Sequence, residues 1–340
     1  DIDFILSTGI ELKLNCEVGK DISLNELRKE GYKAFYIAIG AQSPTPLGIE
    51  GEDLDGVIQA WDLLKDFRKG IEPNLGKKVS VIGGGNAAID AARTAFRLGS
   101  DVTIIYRRDR EEMPAIKDEI KEAEKEGIKF LFLARPLKIV GESGKVKKLI
   151  CGKMEIKGYD LNGRRRSVPV EGEDFEVETN TVIAAIGQKI DAETIMKDSG
   201  IGLSYTGYIY ADHEMKTTVE DVFAGGDVVT GPATIADAVG SGEKAAVSIN
   251  KYLSRDLPKE ERSACFWLEP YEDTVPYNLR SAPAPFERIE APTVPVTERR
   301  KDVEVELALR KEDALRECER CLRCDYIEKK VDTKGVTAVR

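Results

Sequence analysis

The run Lys78-Val79-Ser80-Val81-Ile82-Gly83-Gly84-Gly85-Asn86-Ala87-Ala88 constrains this chain more than any other stretch. A short apolar strand ends in Gly-x-Gly-x-x-Ala and opens directly into a helix, which is the dinucleotide-binding fingerprint in the context it requires. Gly83 permits a tight turn. Gly85 lacks the Cβ that would obstruct a pyrophosphate, and Ala88 is small enough for the helix to lie close on the strand. Backbone N–H groups of Gly84, Asn86 and Ala87 and the positive end of the helix then face the phosphates. The helix is expected to reach Leu98 and stop at Gly99, ahead of a second strand, Val102 to Tyr106. In an NAD site that strand would end in Asp or Glu, which holds the ribose 2′-hydroxyl. Here it ends in Arg107-Arg108. Two guanidinium groups suit a 2′-phosphate, so the residues point to NADPH. NADH, or a parallel sheet whose glycine turn binds nothing, are the alternatives.

The 340 residues suffice for two or three domains, and the 41% apolar content supports a sizeable core. The net charge of −10 argues against nucleic acid and against an anionic membrane surface. No apolar run approaches the ~20 residues of a membrane span. Cys318, Cys321 and Cys324 are clustered, whereas Cys16, Cys151 and Cys265 are scattered. That is no disulfide framework, and it suggests a reducing, cytoplasmic compartment. The single histidine, His213, sits between Asp212 and Glu214 and reads as an ordinary surface or core residue, which argues against hydrolase triads and His-rich metal sites.

Along the chain, Ile2 to Thr8 reads as the end of an amphipathic helix and Ile10 to Leu14 as a strand. These first residues look like the middle of a domain, so a portion ahead of Asp1 is expected, and any targeting signal with it. Leu24 to Lys29 reads as a short helix capped by Ser23, Ala34 to Gly40 as a buried strand, and residues 57–69 as an amphipathic helix. A charged helix from Ile116 to Glu126 stops at Gly127, before a strand from Lys129 to Leu133. Residues 137–178 alternate apolar and polar positions around glycine-rich turns and read as an antiparallel meander. Val182 to Gly187 is another buried strand, and its Ala-Ile-Gly ending echoes Ala38-Ile39-Gly40. Residues 258–295 hold seven of the fourteen prolines, which excludes regular helix or central sheet. A last helix is expected at about 311–320.

A second informative stretch is Thr217 to Asp227, a buried strand ending in Gly225-Gly226-Asp227. After Gly231-Pro232 a helix runs from Ala233 to Tyr252. A carboxylate beside two glycines at a strand's end can accept a hydrogen bond from a polyol. With FAD, Asp227 would hold a ribityl hydroxyl. The helix start at Ala233 and Thr234 would face the flavin's pyrimidine edge. A turn or cap carboxylate is the plainer alternative.

Together, Gly83 to Asn86, Ala88, Asp90, Arg93, Tyr106-Arg107-Arg108, Glu111 to Ala115 and Val222 to Asp227 resemble the small (beta) subunit of NADPH-dependent glutamate synthase and related NADPH–flavin electron-transfer subunits of anaerobes. The resemblance covers residues 1 to about 255. It implies an α/β fold with two dinucleotide-binding, Rossmann-like domains of the pyridine-nucleotide flavoprotein reductase type, plus the meander and an irregular Pro-rich C-terminal tail. Residues 1–61 would be the first part of the FAD domain, 62–195 the inserted NADPH domain, 196–255 the second part of the FAD domain, and 256–340 an extended tail with the cysteine cluster. The Ala-Ile-Gly turns at Gly40 and Gly187 would mark the crossings between domains. Family members open with an FAD fingerprint preceded by iron–sulfur cysteines. No such stretch follows Asp1, so the FAD domain is expected to be incomplete here. The family's C-terminal segment carries the last two cysteines, so the resemblance assigns Cys321 and Cys324 to a [4Fe-4S] cluster. Cys318 is additional, and zinc or unligated thiols are the alternatives. The activity implied is hydride transfer from NADPH to FAD, with electrons passing on through iron–sulfur centres. Its acceptor would be a large catalytic subunit or a ferredoxin-like protein, in a hetero-oligomer. A ferredoxin:NADP transhydrogenase fits the same residues. A non-catalytic assembly subunit is the reading from another class.

Overall fold

In this computed structural model the described residues are 2–159, 163–191, 193–197, 199–255, 287–300 and 303–320. They fall into two compact units, Asp1–Glu269 and Pro270–Arg340.

The first unit begins with α1 (Ile2–Leu6) and α2 (Leu24–Lys29). Ser23 caps α2 as expected, in a reciprocal capping box with Glu26. The strand expected at Ile10 to Leu14 is absent, and Ile10, Leu12 and Leu14 are exposed. Alternation selects a face, but a strand also needs a hydrogen-bonding neighbour. None of the described residues pairs with this one. Next come β1 (Phe35–Ile37), β2 (Ser43–Pro44), β3 (Val57–Gln59) and α3 (Ala60–Arg68). The helix expected from residue 57 thus starts three residues late, because the β-branched Val57 and Ile58 pair with a neighbouring strand instead.

The fingerprint segment supplies β4 (Lys78–Ile82), α4 (Asn86–Arg97) and β5 (Asp101–Tyr106). Then follow α5 (Lys117–Glu126) and β6 (Lys129–Phe132). Gly127 ends α5 in the left-handed conformation, φ +96°. The expected meander is β7 (Ala134–Glu142), β8 (Lys145–Tyr159) and β9 (Arg165–Glu178), a three-stranded antiparallel sheet. After it, β10 (Thr181–Ala184) returns to the centre of the parallel sheet, whose order is β3-β10-β4-β5-β6.

This sheet is buried on both faces, as parallel sheets are. Val79, Val81, Ile104 and Ile183 point into a core with α3, α4 and α5. Their neighbours Ile82, Ile105 and Val182 point the other way, into a second core closed by Ile139, Leu149 and Cys151 of the meander. Burial lifts the Cys151 thiol to about 12, so it is an inert packing residue. The result is three layers: helices, parallel sheet, meander. Arg93 and Arg97 of α4 enclose the buried Glu126 of α5, fixing the two helices to each other.

Short strands follow both Gly40 and Gly187. There β2 pairs antiparallel with β11 (Gln188–Lys189), with Lys189 opposite Ser43. Beyond it, after α6 (Glu193–Met196), lies β12 (Val222–Ala224), parallel to β1. A third core forms around that pair from Leu24, Phe35, Ile37, Ile209 and Val222. Arg28 of α2 holds Asp221 through two bonds of 2.6 and 2.8 Å. The short α7 (Asp227–Thr230) and the long α8 (Ile235–Leu253) are the last described elements of the unit.

In the second unit, Thr293 bridges Glu306, and α9 (Lys311–Arg320) forms where a last helix was expected. Glu317 accepts a hydrogen bond from the Ile289 N–H. Most of the Pro-rich stretch, residues 258–286, lies outside the described residues.

Candidate functional site

At the carboxyl end of β4 the chain crosses to β5 on one side, while β10 lies on the other. This is the switch point at which open α/β sheets bind ligands. The three glycines there play different parts. Gly83 has φ +143°, and a Cβ on it would stand 2.2 Å from the Ala185 carbonyl oxygen. A Cβ on Gly84 would stand 2.6 Å from the Tyr106 ring. Gly85, the N-cap of α4, has an ordinary φ of −88°, and nothing lies within 4 Å of its notional Cβ. Two glycines are therefore demanded by packing and the third faces open space. Asn86 and Ala87 form the exposed first turn of α4. The Asn86 Oδ1 accepts a hydrogen bond from the Ile116 N–H at 2.9 Å, so its side chain anchors the loop ahead of α5.

The arginine pair at the end of β5 is split. Arg107 is exposed, and its guanidinium engages no carboxylate among the described residues. Arg108 is 7% exposed, and its carbonyl accepts from the Leu133 N–H. The loop beyond them is held in place. Tyr106 donates to the Glu112 carbonyl at 2.8 Å, and Ala115 N–H donates to the Gly84 carbonyl at 3.1 Å. Sequence reading missed a further contribution: Arg164 and Arg165, beside the β8–β9 turn, reach this loop and bind Asp109 and Glu112. The bond to Glu112, followed by the charge of Asp109, holds the Arg165 pKa above its ordinary value. The run Arg164-Arg165-Arg166 was the available signal, but nothing local says what it meets.

At the end of β12, Gly225 has no room for a side chain: a Cβ would stand 2.3 Å from the Tyr36 hydroxyl. Gly226 follows at φ +71°. Asp227 is half-buried, and its Oδ1 accepts from the Ala233 N–H at 3.2 Å. That bond is the turn role weighed as the plainer alternative. The other carboxylate oxygen engages nothing among the described residues. Thr234 caps α8 in a capping box with Asp237, so its hydroxyl is already occupied. Gly187, at φ +117°, borders a cavity of about 700 Å³ lined also by Thr45, Gln188, Tyr208 and Pro232. Cys318 is exposed on α9, and Cys321 and Cys324 lie outside the described residues.

A parallel sheet with a Gly-x-Gly-x-x-Ala turn at its switch point defines a dinucleotide-binding α/β protein. More particularly, the chain belongs to the pyridine nucleotide-disulphide oxidoreductase family, whose model matches residues 4–242. It is 39% identical over 338 residues to the NADP(+)-dependent formate dehydrogenase subunit beta of Moorella thermoacetica, covering 95% of this chain and 46% of that one. It is 37% identical over 262 residues to the glutamate synthase [NADPH] small chain of Escherichia coli, covering 72% and 55%. The chain thus spans about half the length of the curated relatives it matches. Among solved structures, Mycobacterium tuberculosis FprA in complex with NADPH superposes with TM-score 0.60 at 22% identity, covering 71% of this chain and 68% of that one. That likeness bears out the expected fold class. No helix among the described residues is long and apolar enough to cross a membrane.

Proposed function

We propose that this chain forms the NADPH-binding body and part of the FAD site of an NADPH-dependent flavoprotein electron-transfer subunit. The observation that carries the reading is the asymmetry of the glycine turn. Packing explains Gly83 and Gly84, whereas the bare Cα of Gly85 opens onto solvent at a helix N-terminus, and the neighbouring strand β5 ends just before Arg107, whose guanidinium is uncommitted among the described residues. A pyrophosphate fits there, accepting hydrogen bonds from the N–H groups at the start of α4. Arg107 then meets the 2′-phosphate, while Arg108 stays buried at the strand end. On the other side, Gly226 and the unused oxygen of Asp227 suit a polyol hydroxyl. Ala233 and Thr234 set the direction of α8, and Gly187 borders the cavity that reaches Pro232 just ahead of them. With both cofactors bound, the nicotinamide supplies a hydride to the flavin. The protein's part is to position the two and to exclude side reactions.

Several finer assignments belong to the same reading. The domain limits are 1–61, 62–195, 196–255 and 256–340. Cys321 and Cys324 contribute to a [4Fe-4S] cluster in the cytoplasmic holoenzyme, and a partner subunit or ferredoxin-like protein takes the electrons. The named relatives support a subunit role, since one is a beta subunit and the other a small chain. They differ in what they are named for, so the acceptor is left at the level of an electron-accepting partner. The test is anaerobic titration of the full-length protein. NADPH should bleach the visible flavin band, and NADH should do so far less well. A protein purified without flavin would favour an assembly role, and equal reduction by both nucleotides would remove Arg107 from its place on the 2′-phosphate.

A further inference from the structure

The loop after β5 sets opposite charges close together. Within five residues of Arg107 come Asp109, Glu111 and Glu112. A 2′-phosphate carries roughly 1.5–2 negative charges near neutrality, as other phosphomonoesters do. Carboxylates left bare in this loop would repel it and would compete for the same guanidinium. Two of them are engaged elsewhere. The Asp109 Oδ1 accepts from the Glu112 N–H at 3.3 Å, and its Oδ2 accepts from Arg165 Nη2 at 2.5 Å. Glu112 accepts from Arg165 Nε at 3.2 Å, and Arg164 Nε stands 3.6 Å from its other oxygen. The Glu112 carbonyl takes a further bond of 2.8 Å from Arg164 Nη2. Arg110 is turned away onto Glu124 of α5. Of the arginines in this run, Arg107 is the one that points out with no partner among the described residues.

We propose that Arg164 and Arg165, at the root of the β8–β9 arm, determine nucleotide specificity by sequestering Asp109 and Glu112, which leaves Arg107 free for the 2′-phosphate. The proposal rests on the NADPH reading above and extends it to residues that never touch the nucleotide. They are positioning residues. Their guanidinium forks neutralise Asp109 and Glu112 and pin the loop to an element more than fifty residues away in sequence. Without Arg165, the Asp109 carboxylate is released two residues from Arg107 and becomes an intramolecular rival of the phosphate.

The experiment measures binding of 2′,5′-ADP and of AMP to the full-length protein by calorimetry. Wild type should favour 2′,5′-ADP strongly; the absence of any preference would defeat the NADPH reading itself, before any variant is made. In Arg165→Ala, affinity for 2′,5′-ADP should fall about tenfold while AMP is unchanged, as expected for one disrupted charge-assisted contact. Adding Asp109→Asn should restore most of the loss, because the competing carboxylate is gone. A purely structural arm would instead weaken both ligands alike, and the second substitution would rescue nothing. Either result, or an unchanged Arg165→Ala, overturns the proposal. If the alanine variant unfolds, Arg165→Met retains the aliphatic packing and must show the same loss and the same rescue.

Discussion

Gly85→Ala and Gly83→Ala, two residues apart, should have opposite consequences. At Gly85 the added methyl meets no atom within 4 Å, and φ is −88°. Losing glycine at the N-cap costs about 0.5–1 kcal/mol. The reduced freedom of the unfolded chain returns about 0.4–1 kcal/mol. The fold should therefore melt within a few degrees of wild type. On the proposed reading the methyl would occupy the approach of the pyrophosphate. Each charge-assisted hydrogen bond lost there is worth about 1.5–3 kcal/mol, or roughly ten- to hundredfold in affinity. Gly83→Ala faces a carbonyl oxygen at 2.2 Å and a positive φ. The conformational strain alone is about 1–3 kcal/mol. Relieving the clash also means separating β4 from the residue that follows β10, in the middle of the sheet. This variant should unfold well below wild type. The assay pairs thermal melting with NADPH titration of each full-length variant. Wild-type NADPH affinity in Gly85→Ala, or wild-type melting in Gly83→Ala, would refute the division of labour within the turn.

Three further outcomes are expected. Arg107→Ala should weaken NADPH about tenfold and leave NADH unchanged, whereas the buried Arg108→Ala should chiefly lower stability, by about 1–3 kcal/mol; titrations with both nucleotides alongside urea melts separate them. Cys321→Ser or Cys324→Ser should lower the iron and sulfide content of anaerobically prepared full-length protein while NADPH still reduces the flavin, and unchanged iron in both variants would count against the cluster. The Arg28 guanidinium bonded to Asp221 holds that carboxyl below its usual range. Its contribution is therefore complete above the unfolded carboxylate value of about 4 and is lost as pH falls through the lower folded value. Asp221→Asn should be less stable than wild type at pH 7 by about 1 kcal/mol, and the gap should close in acid; a gap constant with pH would refute the assignment.

Much of this architecture could be read locally. Ser23 and Glu26 announce the start of α2, and Gly127 announces the end of α5, because caps are satisfied within a few residues. The β4–turn–α4–β5 unit was legible from its Gly-x-Gly-x-x-Ala pattern behind an apolar strand, although Gly83 and Gly84 pack against Ala185 and Tyr106, which lie far along the chain. What escaped depends on partners distant in sequence. Val57 to Gln59 continue a helical pattern, yet they become a strand because β10 offers an edge. Ile10 to Leu14 alternate correctly and find no edge among the described residues. Arg107 and Arg108 are identical in sequence terms, and only the depth of the strand end separates the exposed one from the buried one. The role of Arg164 and Arg165 was invisible because a long hairpin must fold back before they meet Asp109 and Glu112.

The meander has a consequence for assembly. Its outer strands, β7 and β9, each contain a proline, Pro136 and Pro169, whereas the central β8 has none. Proline offers no N–H to a neighbour, and the register slips beside both residues. Glutamates of β9 are engaged by lysines of the central strand, as in the Lys153–Glu173 and Lys148–Glu176 pairs. Such rims resist recruitment of a fourth strand from another chain. The meander is thereby guarded against the runaway backbone pairing that turns stray sheets into aggregates.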